Sequence, residues 1–189
     1  MGQSLAQKII AKAVGKEYVT PGEVEIANID LAMIHDSGGP RRVKPILDRL
    51  GVDVWSSEKI VVVTDHYVPE FNNETKAIQK LTRDWVKTNN IRSFYDQMGI
   101  CHVVVPENGH LKPGMFVVGG DSHSPTGGAF GAYMFGIGAT EMAGVLATGE
   151  IWIKVPETIR INWSGKLSEF VTAKDMMLAT CRQIGMGGG

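Results

Sequence analysis

Lys59-Ile60-Val61-Val62-Val63-Thr64-Asp65-His66 carries the clearest structural signal in the sequence. Lys59 to Thr64, β-branched from Ile60 on, has the pattern of a strand buried on both faces of a parallel sheet. The run stops at an acid beside an imidazole. Upstream, Ile26-Ala27-Asn28-Ile29-Asp30 reads as a short strand running into a buried segment, Leu31 to Ile34, which ends at His35-Asp36-Ser37-Gly38-Gly39-Pro40. Arg41 to Leu50 then reads as a helix closed by Gly51. Further upstream, Leu5, Ile9, Ile10 and Ala13 recur at helical spacing between a capping Ser4 and Gly15.

Downstream, Asn72, Asn73 and Glu74 mark the start of a long helix with Ile78, Leu81, Trp85 and Val86 on one stripe. Ile100 to Val105 and Met115 to Val118 read as two more apolar strands, the second ending at Gly119-Gly120-Asp121-Ser122-His123. A glycine-rich loop follows. Thr140 to Thr148 reads as a helix, Thr158 to Trp163 as a strand, and Thr172 to Ile184 as a helix capped by Thr172. Strands alternating with helices predict an α/β fold, a three-layer α/β/α arrangement around a mostly parallel sheet. No internal repeat or low-complexity segment interrupts it.

The 189 residues, 43% of them hydrophobic, suffice for one globular domain over 1–189. A net charge of −1 removes the electrostatic footprint of nucleic-acid or acidic-membrane binding, so a small molecule is the expected ligand. No apolar stretch approaches the roughly 20 residues of a membrane span. The start of the chain is broken by Gln3, Gln7, Lys8 and Lys12, which argues against a secretion signal. Met1-Gly2 is not a myristoylation signal, because Ala6 stands where Ser or Thr is needed. Cys101 and Cys181 match no zinc spacing and read as reduced thiols of a cytoplasmic protein. The terminal Gly185-Met186-Gly187-Gly188-Gly189 follows an amphipathic run without a closing element, so the chain is expected to be cut from a larger parent.

In open α/β sheets the ligand crevice lies beyond the carboxyl ends of the strands. Asp65-His66 and Asp121-Ser122-His123 occupy such ends, and His102 sits within an apolar run where an unpaired imidazole is costly. A carboxylate beside an imidazole fixes its tautomer and favours its charged form, which suits proton transfer near neutral pH. The bland reading of any one histidine is a packed ring bonded to backbone; their clustering at strand ends weakens it. Ser122 lacks the Gly-x-Ser-x-Gly frame of a nucleophile and reads as a substrate hydrogen-bond donor. Gly127-Gly128-Ala129-Phe130-Gly131 and Gly136-Ile137-Gly138 do not form a dinucleotide fingerprint, since Glu141 replaces the third glycine. Arg41-Arg42 reads as a solvated helix start, with a carboxylate contact as its alternative, and the four tryptophans as packing groups.

The segment Gly119-Gly120-Asp121-Ser122-His123-Ser124-Pro125-Thr126-Gly127-Gly128-Ala129-Phe130-Gly131-Ala132, followed by Phe135-Gly136-Ile137-Gly138-Ala139-Thr140-Glu141, resembles the Asp-Ser-His signature of the aconitase superfamily. Ala32-Met33-Ile34-His35-Asp36, Asp65-His66-Tyr67-Val68-Pro69 and Gly99-Ile100-Cys101-His102 resemble its other leading motifs, in the same order. The nearest resemblance is to the N-terminal part of the large subunit of 3-isopropylmalate and homoaconitate dehydratases.

That resemblance implies the iron–sulfur domain fold of the family and a hydro-lyase moving water across a hydroxy di- or tricarboxylic acid, with a [4Fe–4S] cluster polarising the leaving oxygen. It implies that Asp65 with His66 protonates the departing hydroxyl and that Asp121 with His102 forms a second pair. It further implies that His123 orients the site, Ser122 binds a substrate carboxylate and His35 makes another substrate contact. A small subunit carrying the final domain is the implied partner.

The family's cluster motifs, Cys-Thr-Asn and Cys-x-x-Cys, do not occur, so the ligands are expected outside this chain and the isolated piece is expected to be inactive. Ser124-Pro125-Thr126 differs from the Thr-Cys-Thr associated with the isopropylmalate branch, which keeps a dehydratase of 2,3-dimethylmalate type open as an alternative. Two readings from other classes compete: a hydrolase binding a divalent metal directly through His66, His102, His123 and the aspartates, and a non-catalytic docking domain for partner subunits.

Overall fold

The computed structural model describes residues 2–185. Met1 and the glycine run from 186 onward, on which the myristoylation and truncation readings bear, lie outside the described residues. The chain divides into two compact units, Met1–Pro156 and Glu157–Gly189.

In the first unit, α1 (Leu5–Ala13) starts at Ser4, whose hydroxyl accepts the Gln7 N–H while the Gln7 side chain returns the bond, a reciprocal cap. The expected strand-then-buried segment splits into β1 (Val24–Asn28) and β2 (Leu31–His35), which belong to different sheets. Next come α2 (Pro40–Leu50), ended by Gly51 in the left-handed conformation, and β3 (Ile60–Thr64), buried throughout as its β-branched run predicts. After it, α3 (Asn73–Thr88), capped by Asn72, leads to β4 (Ser93–Asp96), α4 (Cys101–Glu107) and β5 (Phe116–Gly119). A 3₁₀ turn over Ser124–Phe130, β6 (Tyr133–Gly136), α5 (Ala139–Thr148) and β7 (Glu150–Lys154) complete it. In the second unit, α6 (Ala173–Ile184) is capped reciprocally by Thr172 and Asp175.

The main sheet has five strands in the order β4-β3-β2-β5-β6, every pair parallel. β1 and β7 form a separate antiparallel pair. Along β2, Ala32 and Ile34 face one core with Ile60, Val62, Phe116 and Val118, closed by Ile10, Val43, Leu47, Trp85 and Leu146 of the helices. Leu31 and Met33 face the other with Val61, Val63 and Val117, closed by Cys101, Val104 and Val105 of α4. Helices therefore cover both faces, giving the expected three-layer α/β/α architecture. Successive strands run outward from β2 to β4 and then from β5 to β6, so the order reverses between β2 and β5. That reversal is where an open parallel sheet leaves a crevice beyond its carboxyl ends.

Two expected strands are corrected. Ile100 to Val105 is mostly helix: Cys101, Val104 and Val105 are buried while Val103 is exposed, a helical spacing concealed by a run that is apolar on either side of His102. Thr158 to Trp163 forms no strand. The packing role expected of the tryptophans holds for Trp85, at 4% exposure, but not for Trp152 or Trp163, at 62% and 56%.

Candidate functional site

Three turns and the first turn of α4 supply the polar groups. β2 ends in His35 and runs into Asp36; β3 runs into Asp65 and His66; β5 runs through Gly119 and Gly120 into Asp121, Ser122 and His123. His102 joins them from α4. All seven residues that the sequence singles out, His35, Asp65, His66, His102, Asp121, Ser122 and His123, thus stand at the carboxyl end of the sheet, on both sides of its order reversal.

Contacts bind these groups into one cluster. His66 Nδ1 lies 2.6 Å from Asp65 Oδ1, and the other Asp65 oxygen accepts the Cys101 main-chain N–H at 2.7 Å. With Nδ1 engaged, His66 Nε2 faces Asp121 Oδ2 at 3.8 Å. Asp121 Oδ1 in turn meets His102 Nε2 at 2.9 Å and accepts the His123 N–H. The Ser122 hydroxyl lies 3.3 Å from His123 Nδ1. His35 stacks on His66, and its own Nε2 is 3.1 Å from the Gly120 carbonyl oxygen, which ties the ends of β2 and β5 together.

Burial grades the cluster from floor to mouth. Asp65 is nearly enclosed and His35 is buried, whereas the His66 side chain is 37% exposed and that of His123 is 77% exposed. Burial, and then the neighbouring His66, hold the His35 imidazole below its ordinary proton affinity. Burial pushes the Asp121 carboxyl up, but the His123 N–H and the His102 ring outweigh it and hold the group below the usual carboxylate range.

The loop after β5 owes its path to small residues. Ser124 is fully buried and donates to the Asp121 carbonyl at 2.8 Å. A Cβ on Gly136 would stand only 2.2 Å from that same carbonyl oxygen. Gly136 therefore serves close backbone approach to Asp121.

Sequence reading missed the groups that hold the cluster from beneath. Asp36, at 0% exposure, accepts N–H bonds from Asp65, His66 and Tyr67 and from the side chain of Gln79. Its signal was available, since an acid directly after a fully buried strand must find partners. Beside it, Arg83 forks onto both oxygens of Asp96 and reaches Glu70; Asp96 accepts from Thr64, the last residue of β3. Arg41, read as solvated, lies half-buried with Nη1 donating to the Tyr67 hydroxyl at 3.1 Å.

Two sets of potential ligand atoms lie within 4.8 Å of one another: His35, Asp36, Asp65 and His66; and His102, Asp121 and His123. Neither contains a thiol. Cys101 is buried at the start of α4, where desolvation and the Asp65 carboxylate push its thiol upward and disfavour the thiolate that metals bind. No described helix is long and apolar enough to cross a membrane.

Residues 7–189 match the Aconitase family (aconitate hydratase). Over 190 residues the chain is 46% identical to the 3-isopropylmalate dehydratase large subunit 1 of Methanopyrus kandleri, covering 100% of this chain and 45% of that protein. It is 47% identical over 190 residues to the probable 3-isopropylmalate dehydratase large subunit of Methanothermobacter thermautotrophicus, with the same coverage. It is 46% identical over 186 residues to the methanogen homoaconitase large subunit of Methanocaldococcus jannaschii, covering 98% of this chain and 43% of that protein. The chain spans less than half the length of these relatives. With its parallel sheet and its Asp-His pairs gathered at one sheet end, the chain belongs to the aconitase family.

Proposed function

We propose that residues 1–189 are the N-terminal α/β part of the large subunit of a hydro-lyase that moves water across a hydroxy di- or tricarboxylic acid such as isopropylmalate or homocitrate. The observation that carries this reading is the His66 ring, fixed at Nδ1 by Asp65 with Nε2 facing Asp121 across the cluster. A carboxylate holding one ring nitrogen leaves the other as the proton-transferring atom. His66 Nε2 delivers a proton to the departing hydroxyl, which leaves as water. His102 with Asp121 forms the second pair, His123 orients it, and Ser122 and His35 contact the substrate, Ser122 through a carboxylate. The names of the relatives support the reaction class and the need for a small subunit.

When bound, a [4Fe–4S] cluster supplies Lewis acidity at the leaving oxygen. The residues of this chain do not fit it as ligands. Its two cysteines are too few, and Cys101 is buried beside a carboxylate. Cluster ligands therefore come from outside residues 1–189, and this chain provides proton transfer and orientation.

The test is turnover by the complete large and small subunits on isopropylmalate, homocitrate, homoaconitate and 2,3-dimethylmalate. One of the three hydroxy acids should be dehydrated, or homoaconitate hydrated, and His66→Ala should lower kcat by about 10²- to 10⁴-fold, the range for a general acid. A loss below threefold would remove His66 from proton transfer. Inactivity on all four acids would sink the substrate class.

The His102, Asp121 and His123 grouping favours one competitor, direct binding of a divalent ion. Titration of the protein with zinc or manganese separates the two: stoichiometric tight binding supports the metal hydrolase. The existing Asp121 Oδ1 contacts to His102 and the His123 N–H favour the proton-transfer pair.

A further inference from the structure

Asp36 has no part in the proton-transfer scheme above, yet it is among the most enclosed polar groups of the fold. Its Oδ1 accepts the Asp65 N–H at 3.4 Å and the His66 N–H at 3.1 Å. Its Oδ2 accepts the Tyr67 N–H at 2.9 Å and the Gln79 side-chain N–H at 2.6 Å. Three of the four donors are successive main-chain groups just beyond the end of β3, where strand pairing no longer satisfies them. β2 and β3 are parallel neighbours with His35 beside Val63, so the residue after His35 is set to take over where the ladder stops. The carboxylate continues it with a side chain.

Gln79, fully buried on α3, fixes this carboxylate from behind. Its amide nitrogen meets two acceptors, Asp36 Oδ2 and the Tyr67 carbonyl oxygen at 3.3 Å, while its Oε1 has no hydrogen-bond partner among the described residues. Turning the amide over would set an oxygen against both acceptors, so this orientation is dictated. A buried amide thus leaves one oxygen unbonded in order to aim its N–H groups at Asp36 and the main chain after it. That arrangement opposes its own local satisfaction, and such conflicts concentrate where function sets the geometry.

We propose that Asp36 is a positioning residue: it clamps the main chain of residues 65–67, with Gln79 as its brace, and thereby sets the approach of the His66 ring. The role rests on the reading of Asp65 and His66 as the proton-transfer pair. Asp36 touches no reacting atom; its Oδ1 stands 3.7 Å from His66 Nδ1, beyond hydrogen-bond distance. Its leverage is geometric. Proton transfer needs heavy atoms within roughly 2.6 to 3.2 Å, and a displacement of about 1 Å costs on the order of 10²-fold in rate. Asp36→Asn keeps the volume but replaces one acceptor oxygen by an NH₂ group. Whichever way the amide lies, a donor then faces donors on one side of the clamp.

The experiment uses the complete enzyme, large and small subunits together, with two readouts. Hydrogen exchange at the amides of residues 65–67 should quicken at least about tenfold in Asp36→Asn, with the β2 amides unchanged, because a local opening and not global unfolding is released. Turnover should fall about 10- to 100-fold with KM within threefold, and the loss should shrink to less than threefold in a His66→Ala background, since a residue acting through His66 has nothing left to position. A merely structural role would instead multiply with His66→Ala. Should Asp36→Asn fail to fold, Gln79→Met removes the brace alone and is held to the same two criteria. Unchanged exchange at 65–67 overturns the clamp regardless of chemistry. Losses that multiply overturn the positioning role while leaving proton transfer by His66 intact. Undiminished turnover in His66→Ala overturns both.

Discussion

The rings of His35 and His66 stack with centroids 4.2 Å apart and planes inclined by 15°. Charging both would place two cations face to face, and the more deeply buried ring, His35, is the one held below its ordinary value of 6.5, first by burial and then by its neighbour. A lowered imidazole contributes stability that is full above 6.5 and is lost as pH falls through 6.5 toward the folded value, because the unfolded chain then binds a proton that the folded one refuses. Thermal melts at pH 7.5, 6.5 and 5.5 should therefore show a falling midpoint. His35→Gln, which cannot be charged, should flatten that fall. An identical pH slope in the variant would remove His35 as its source.

Ser122 stands at the exposed mouth with its hydroxyl 3.3 Å from His123 Nδ1. A carboxylate contact binds ground state and transition state alike, so its loss is read chiefly in KM. In the complete enzyme, Ser122→Ala should raise KM at least as much as it lowers kcat. Steady-state kinetics with an unchanged KM would contradict the assignment.

Much of this arrangement is written locally in the sequence. A β-branched run gives β3 to within one residue at its start, and polar groups following apolar runs place Asp65, His66 and Asp121 at sheet ends. Other elements depend on partners that local patterns do not contain. The half-buried edge strand Ser93–Asp96 lacks an apolar run, and Tyr133–Gly136 is hidden among glycines retained for backbone approach. Glu150–Lys154 does alternate strictly, exposed and buried, but its partner Val24–Asn28 lies more than a hundred residues upstream. Ile100 to Val105, apolar at every position but His102, carries no clear period, and only burial reveals that His102 lies in the first turn of a helix, with its ring on Asp121. Gln79 is silent for a similar reason, and Asp36 signals only its need for partners and not which ones, since their importance lies in four bonds made across three elements.

Gly136 is predicted to be irreplaceable by alanine. Its Cβ would press on the Asp121 carbonyl oxygen, a main-chain atom held by the Ser124 hydroxyl and unable to swing aside. Overpacking of this kind costs about 1 to 3 kcal/mol, and the shift propagates to the Asp121 carboxylate that meets His102. Gly136→Ala should lower the melting temperature and reduce turnover, whereas Gly128→Ala, whose added methyl meets nothing within 4 Å, should do neither. Equal behaviour of the two variants would show that close approach is not what Gly136 provides.

The Arg83 fork braces the other side of β3. Burial pushes the Asp96 carboxyl up, but Arg83 and Thr64 outweigh it and hold the group below 3.8. A depressed carboxylate contributes stability that is full above 3.8 and lost as pH falls through the folded value. Arg83→Met should therefore destabilise the protein at pH 7 by about 1 kcal/mol, discounted from the larger worth of a charged hydrogen bond because the side chain is 35% exposed. The gap from the parent should narrow as pH is lowered from 5 to 3, where protonation of Asp96 removes from the parent the interaction that the variant already lacks. Urea unfolding across that range measures the gap directly, and a difference that stays constant or widens toward pH 3 would mean that Arg83 acts through packing of its stem and not through the carboxylates it bridges.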